Sequence, residues 1–199
     1  MTYSAQFLEN TFDYKAYRNL IEELILQNKT TGLDHSEAMV NYTKMNVQRM
    51  KRLDKTVILN ENISKTLLQL KQNYTWLVVT EAWCGDAAQI IPTIDKIEEI
   101  SQGKISVRYI FRDQNLDIID QHLTNGGRAI PKLIVLDPAL TEILSWGPRP
   151  KILQDLFLEW KTEPNTTKED WSEKIHTWYA KDKTVEIQKE LLEILQRLN

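Results

Sequence analysis

The alternation of apolar and polar residues divides the chain into three stretches. Between residues 13 and 55 the apolar positions recur at helical spacing: Tyr14, Tyr17, Ile21 and Leu24 form one stripe, and Val40, Val47, Met50 and Leu53 a second. The intervening "TTGLDHSE" supplies a stop, a turn and a new N-cap, so a helical hairpin is predicted. From residue 56 to 160 the periods change. A short strand is predicted at "TVIL", then a helix in "ENISKTLLQLKQN", then a buried strand in "TWLVVTEAW", rich in β-branched and aromatic residues. A helix follows with Ile90, Ile94, Ile97 and Ile100 on one face, closed by Gly103. Ile105, Val107, Tyr109 and Phe111 then alternate as in a strand. "QNLDIIDQHLTNGG" predicts a short helix stopped at Asn-Gly. "AIPKLIVLDP" and "TEILSWGP" predict two strands joined by a tight Asp-Pro turn, and "PKILQDLFLEW" a closing helix. This order implies an α/β fold, a mixed sheet with helices on both faces.

After "KTEPNTT" come two further amphipathic helices, one carrying Trp171, Ile175 and Trp178, the other Ile187, Leu191, Ile194 and Leu198. Each has to bury its stripe on the core or on another subunit. The expected organisation is therefore a helical extension over residues 1–55, an α/β domain over 56–162 and a second helical extension over 163–199.

Composition narrows the function. Of 199 residues, 42% are hydrophobic, enough for a sizeable core, and the six glycines and six prolines argue against long disordered linkers. A net charge of −3 gives no reason to expect a polyanionic partner. The basic run "TKMNVQRMKRLDK" lacks interleaved aromatics and reads as a solvated helix face, so no nucleic acid is expected. "MTYSAQFLENTFDYK" lacks the apolar stretch of a secretory signal, and runs such as "WLVV" and "LIVL" are too short to span a membrane. A cytoplasmic protein with no membrane partner is the expectation. His35, His122 and His176 have no partners at ligand spacing, so no metal is expected. Neither a phosphate-binding glycine loop nor a Gly-x-Ser-x-Gly elbow is present, so no cofactor, kinase or hydrolase reading arises.

The chemistry is concentrated in "TEAWCGDAAQIIP", residues 80–92, which holds the single cysteine, Cys84. Only a thiolate attacks, and a free thiol of pKa ~8.5 is about 3% ionised at neutral pH. A sulfur at a helix N-terminus receives backbone N–H groups and the positive end of the dipole, which favours the thiolate. Asp86, in the same first turn, gains from that dipole and repels a thiolate. It also has a plainer role, since an acidic residue there stabilises a helix. Two readings of Cys84 stand at this point, a structural thiol filling a small apolar space and a nucleophile.

The blocks "WLVVTEAWCGDAAQIIPTIDKI", "YIFRDQN", "NGGRAIPKLIVLD" and the glycine of "SWGPRP" resemble, in order and interval, those of the thioredoxin family. The resemblance covers roughly residues 75 to 160 and implies a thioredoxin-like fold with added helices at both ends. Trp83, Cys84 and Gly85 match the start of the Trp-Cys-Gly-Pro-Cys motif, Pro92 the proline of the active-site helix, and Ile130-Pro131 the cis-proline signature. Arg128 matches a commonly basic place two before the isoleucine, and Trp-Cys-Gly-Asp is similar to a bacterial branch usually written with a second cysteine. Here Ala87 occupies the place of the resolving thiol, so a two-cysteine cycle is excluded. Val78 stands where the family has a buried carboxylate, and Glu81 is assigned to the other strand face.

The resemblance implies a substrate lying between Trp83, Cys84 and Pro131, pairing with the Ile130 backbone and lined by Gly85, Asp86 and Arg128. Arg128 and Lys132 would either attract an acidic ligand group or serve as solvated strand-end charges. The family arrangement sets His122 away from the site, and Trp160, Trp171 and Trp178 are expected to clamp the terminal helices. The expected function is monothiol exchange through Cys84, with a protein or a low-molecular-weight thiol such as glutathione or bacillithiol as partner. The alternative is a redox-inactive thioredoxin-fold binding module. A thiol peroxidase lacks its threonine-proline surround.

Overall fold

The computed structural model describes residues 1–199. Its centre is a four-stranded sheet in the order β2-β1-β3-β4, formed by β1 (Tyr74–Thr80), β2 (Ile105–Phe111), β3 (Lys132–Leu136) and β4 (Glu142–Trp146). β1 runs parallel to β2 and antiparallel to β3, and β3 is antiparallel to β4. Because β1 is flanked on both edges and covered on both faces, Trp76, Leu77, Val78 and Val79 are all fully buried. That explains its unbroken apolar run, the pattern of a strand with no wet face.

The connection from β1 to β2 is α5 (Gly85–Ile100). It lays Ile90, Ile91, Ile94 and Ile97 against the sheet, all with no exposed surface. Pro92 lies inside this helix; lacking an N–H, it leaves the Ala88 carbonyl without its helical donor. Gln102 and Gly103 follow with positive φ, the turn that returns the chain into β2.

The N-terminal extension comprises α1 (Ala5–Glu9), α2 (Tyr14–Leu26) and α3 (Glu37–Thr56), as the hairpin reading expects for the last two. Asp13 caps α2 by accepting the Ala16 N–H at 2.7 Å. Phe12 and Tyr109 exchange two backbone hydrogen bonds, which occupies part of the open edge of β2. Tyr17 stacks on Tyr109 at 5.2 Å between ring centroids. α3 packs along α5, and its Asn46 amide donates to the Ala82 carbonyl at 2.9 Å.

Three local expectations change. The segment "TVIL" is not a strand: α3 runs to Thr56, and residues 57–60 are held by the Gln188 side chain, which accepts from Asn60 N and donates to the Ile58 carbonyl. A side chain supplies what a neighbouring strand would have. The next helix, α4 (Glu61–Leu67), is shorter than its sequence pattern. The Asn-Gly of "LTNGG" does not stop α6 (Leu116–Asp120) but forms a separate tight turn, Thr124 and Gly127 exchanging backbone bonds while Asn125 and Gly126 take positive φ. Asn-Gly favours that turn chemistry over a helix cap when the chain must reverse at once.

The chain closes with α7 (Lys151–Thr162), α8 (Lys168–Asp182) and α9 (Val185–Arg197). One hydrophobic cluster runs from Tyr3 to Leu198 and includes Ile175, Ile187, Leu191 and Leu195, so the terminal helices share the core of the sheet. The stripe of α9 is therefore buried within this chain. Leu191→Ala is expected to cost ~2–5 kcal/mol in urea unfolding, the range for a fully buried leucine; a loss below ~1 kcal/mol would show that α9 rests only on the surface.

Candidate functional site

The site lies where β1 ends and α5 begins. The chain leaves the sheet at Thr80, and two tethers fix the following bend: Ala82 N–H donates to Thr31 Oγ1 at 2.8 Å while the Ala82 carbonyl accepts from Asn46. Cys84 is the N-cap of α5, in extended backbone geometry, and its sulfur accepts the Ala87 N–H at 3.5 Å. On its other side the thiol donates to the Ile130 carbonyl at 3.2 Å. The Ile130–Pro131 and Gly147–Pro148 peptide bonds are both cis. At Gly147 (φ +110°) a Cβ would lie 2.4 Å from the Pro131 carbonyl oxygen, so only glycine lets these two proline turns meet.

Trp83 forms the wall beside the thiol. The Arg112 guanidinium lies 4.8 Å from its ring centroid and also binds Asp113 through Nε at 2.8 Å. A Cβ at Gly32 would come within 2.6 Å of Asp113 Oδ2 and 3.4 Å of Trp83 Nε1, so the turn after α2 closes the far side of this wall. Glu81 is fully buried and accepts the Asp113 N–H at 2.9 Å. Burial holds its carboxyl above the usual range. It fixes the turn bearing Arg112 and Asp113.

Asp86 is the electrostatic centre. Its carboxylate accepts from Arg149 Nη2 at 2.5 Å and Nε at 3.2 Å, and from the Tyr179 hydroxyl at 2.7 Å. Both members of the ion pair are largely removed from solvent, with side-chain exposures of 10% each. Arg149 also donates to Gln154 Oε1 and lies 4.4 Å over the Phe157 ring, so α7 holds the guanidinium in place. Burial is sustainable here because the charge is paired and its oxygens are hydrogen-bonded.

Cys84 is 7% exposed as a residue, and burial pushes its thiol up to about 12. The Asp86 charge adds to that rise, while the Ala87 N–H and Arg149 oppose it. Each tenfold preference for the protonated form is worth about 1.4 kcal/mol. Burial and the neighbouring carboxylate thus outweigh the ~0.3–2 kcal/mol that a helix N-terminus offers a charge. The site holds a thiol, not a thiolate, in this conformation.

The helix that covers the start of α5 was not among the sequence candidates. α8 crosses the first turn of α5. A Cβ at Gly85 would sit 2.7 Å from His176 Cε1, so the imidazole packs directly on that glycine. Burial, followed by the charge of Arg49, pushes His176 down to about 4, and its Nδ1 has no hydrogen-bond partner. Tyr179 reaches past it to Asp86. Pairings across 63 and 93 residues leave no periodic trace; the only local signal was Arg149 set between two prolines in "GPRP".

The sequence candidates Trp83, Cys84, Gly85, Asp86, Ile130 and Pro131 come together at this end of the sheet. Arg128 does not join them: its guanidinium is held by both oxygens of Asp120 at the surface, at 2.6 and 2.8 Å. Arg149 is the cation that acts on the thiol. The Ile130 carbonyl, expected to be free for a substrate, is engaged by the Cys84 thiol. Lys132 is buried beneath the Asn-Gly turn, donating to Thr124 Oγ1 and the Gly147 carbonyl. His122 bonds the Ile118 carbonyl and Glu142. No group of three or more His, Cys, Asp or Glu side chains is placed to hold a metal ion. No helix is long and apolar enough to cross a membrane.

Comparison with known proteins agrees with this architecture. The thioredoxin family model matches residues 32–169. Thioredoxin 1 of Nostoc sp. (strain PCC 7120) is 30% identical over 77 residues, which is 39% of this chain and 69% of that protein. Among solved structures, a protein of unknown function from Pseudomonas aeruginosa superposes with a TM-score of 0.66 at 18% identity, covering 100% of both chains. An HIV epitope-scaffold superposes with a TM-score of 0.63 at 17% identity, covering 98% of each. Likeness at those identities speaks to the fold, including the helices added at both ends. With the family model covering most of its length, this chain belongs to the thioredoxin family.

Proposed function

We propose that this thioredoxin-family protein acts as a monothiol exchange protein, Cys84 taking a substrate sulfur into a mixed disulfide. The observation that carries this reading is the position of the sulfur. It caps α5, faces the Ala87 N–H and lies 3.2 Å from the carbonyl of Ile130, beside Pro131. Cys84 first gives its proton to solvent. The thiolate then attacks one sulfur of a disulfide RS–SR′; the Cys84–SR bond forms as the RS–SR′ bond breaks, and R′S⁻ leaves and is protonated. Ala87 has no sulfur, so a second, external thiol must attack the mixed disulfide and return Cys84 to the reduced form. The partners are accordingly a protein disulfide or a low-molecular-weight thiol, and the need for external thiol suits a reducing compartment such as the cytoplasm.

In this account Trp83 and Pro131 flank the substrate sulfur, and Gly85 gives the His176 ring its seat over the first turn of α5. Asp86 adds its charge to the effect of burial in holding the proton on the thiol, with Arg149 as counterweight. A second reading has its own support: the same burial that raises the thiol to about 12 suits a redox-inactive member of the family that uses this end of the sheet to bind a partner.

Two outcomes are expected. Cys84→Ser abolishes mixed-disulfide formation with glutathione disulfide, followed by intact-protein mass spectrometry, and abolishes turnover in the presence of excess glutathione. A wild-type protein that forms no adduct with any low-molecular-weight disulfide up to pH 10 selects the binding module instead. Asp86→Asn removes the neighbouring charge and is expected to raise the rate of Cys84 alkylation at pH 8 by about tenfold. An unchanged rate would show that burial alone holds the proton.

A further inference from the structure

The helix that crosses the start of α5 at Gly85 and Asp86 is held more lightly than α9, which follows it. Of the fifteen residues of α8 only Ile175 and Tyr179 are buried, whereas α9 buries five of its thirteen. An element with few buried apolar side chains is drawn from the low-stability end of a structure. Its ends also have the form of hinges. Lys183 and Thr184, which join α8 to α9, both adopt left-handed backbone conformations without being glycine, and Asn165 before α8 does the same. Such residues carry local strain and lie at element ends, where a change in φ and ψ is most easily absorbed.

The contacts that seat α8 fall into two groups, one on the site and one on the α7 side, where Lys174 also pairs with Glu163 and Lys161 lies over the Trp171 ring. His176 packs on Gly85, and Tyr179 donates to Asp86 Oδ1. The Phe157 and Trp171 rings meet edge to face at 6.2 Å between centroids, joining α7 to α8. The Asp86–Arg149 pair does not depend on α8, since Arg149 precedes α7 and is positioned by Gln154 and Phe157. When α8 moves, the carboxylate keeps its counter-ion and loses only the tyrosine hydroxyl, which water replaces. The removal of α8 therefore leaves no buried unpaired charge behind.

We propose that α8 is a latch over Cys84, swinging on the Asn165 and Lys183–Thr184 junctions, and that exchange takes place only in the unlatched form. This rests on the monothiol reading and adds its regulation. With the latch shut, Ile130 and the thiol satisfy one another; with it open, solvent and an extended substrate reach both. The α3–α8 cleft above His176, lined by Tyr42, Met45 and Arg49, is the side from which α8 would be lifted.

The test is N-ethylmaleimide labelling of Cys84 in the intact chain across a guanidinium series at pH 8, with deuterium exchange of backbone amides followed by peptide. The latch predicts a labelling rate that is flat at low denaturant and steep only where the whole molecule unfolds. Tyr179→Phe and Gly85→Ala, the second driving a methyl group into His176, should each raise the flat part tenfold or more. Leu191→Ala should move only the steep part. Amides of residues 168–182 should exchange ahead of those of residues 185–197. Labelling that tracks global unfolding at every denaturant concentration, or a flat part unmoved by both variants, overturns the latch. Unlatched labelling without any mixed disulfide removes the exchange reading and keeps the latch. Mixed-disulfide formation at a rate untouched by both variants keeps the exchange reading and removes the latch.

Discussion

The site depends on keeping one buried charge satisfied. Asp86 lies in the first turn of α5, beside the sulfur and largely out of water, and a carboxylate there persists only if cations and donors converge on it. Arg149 supplies two of those donors and Tyr179 the third. To bring Arg149 there the chain must turn tightly through "GPRP" and seat α7 beneath the guanidinium. α8, laid across the helix start, adds the tyrosine hydroxyl, and α9 is held by its own apolar stripe.

The same arrangement decides the state of the sulfur. A helix N-terminus has a limited capacity to favour negative charge, and here Asp86 already draws on it. A second anion two residues away would be both repelled and poorly solvated, so the proton stays on Cys84 and the thiol turns to the Ile130 carbonyl. Arg149 reduces this penalty without reversing it. Family resemblance at the level of "WCG" thus specifies where the sulfur sits, while its protonation is set by residues that the motif does not include.

How far the sequence discloses this follows from the range of the interactions. The buried strand "TWLVV", the isoleucine face of α5 and the alternation in β2 are periodic within a few residues and are read directly. The convergence of Trp83, Cys84, Ile130 and Pro131 was legible through the ordered blocks shared with the family. The pairing of Asp86 with Arg149 and Tyr179 was not, because an ion pair across a sequence gap imposes no pattern on the residues between. Arg128 differs for another reason: it stands at the expected place, but its guanidinium is bound by Asp120, eight residues earlier. "TVIL" likewise has strand composition, yet Gln188, from the far end of the chain, binds its backbone.

The claim on which the account of the site rests is that Cys84 is kept protonated by its surroundings and not primed by the helix. Its most direct measurement is a ¹³Cβ chemical-shift titration of Cys84 in the intact reduced protein, which reports thiol and thiolate separately from reactivity. The account predicts a thiol resonance that is unchanged through neutrality and still predominant at pH 10, in keeping with a proton held to about 12. A transition to thiolate centred between pH 6 and 8 would contradict it and would show that the helix start, not the carboxylate and the cover of α8, governs the sulfur.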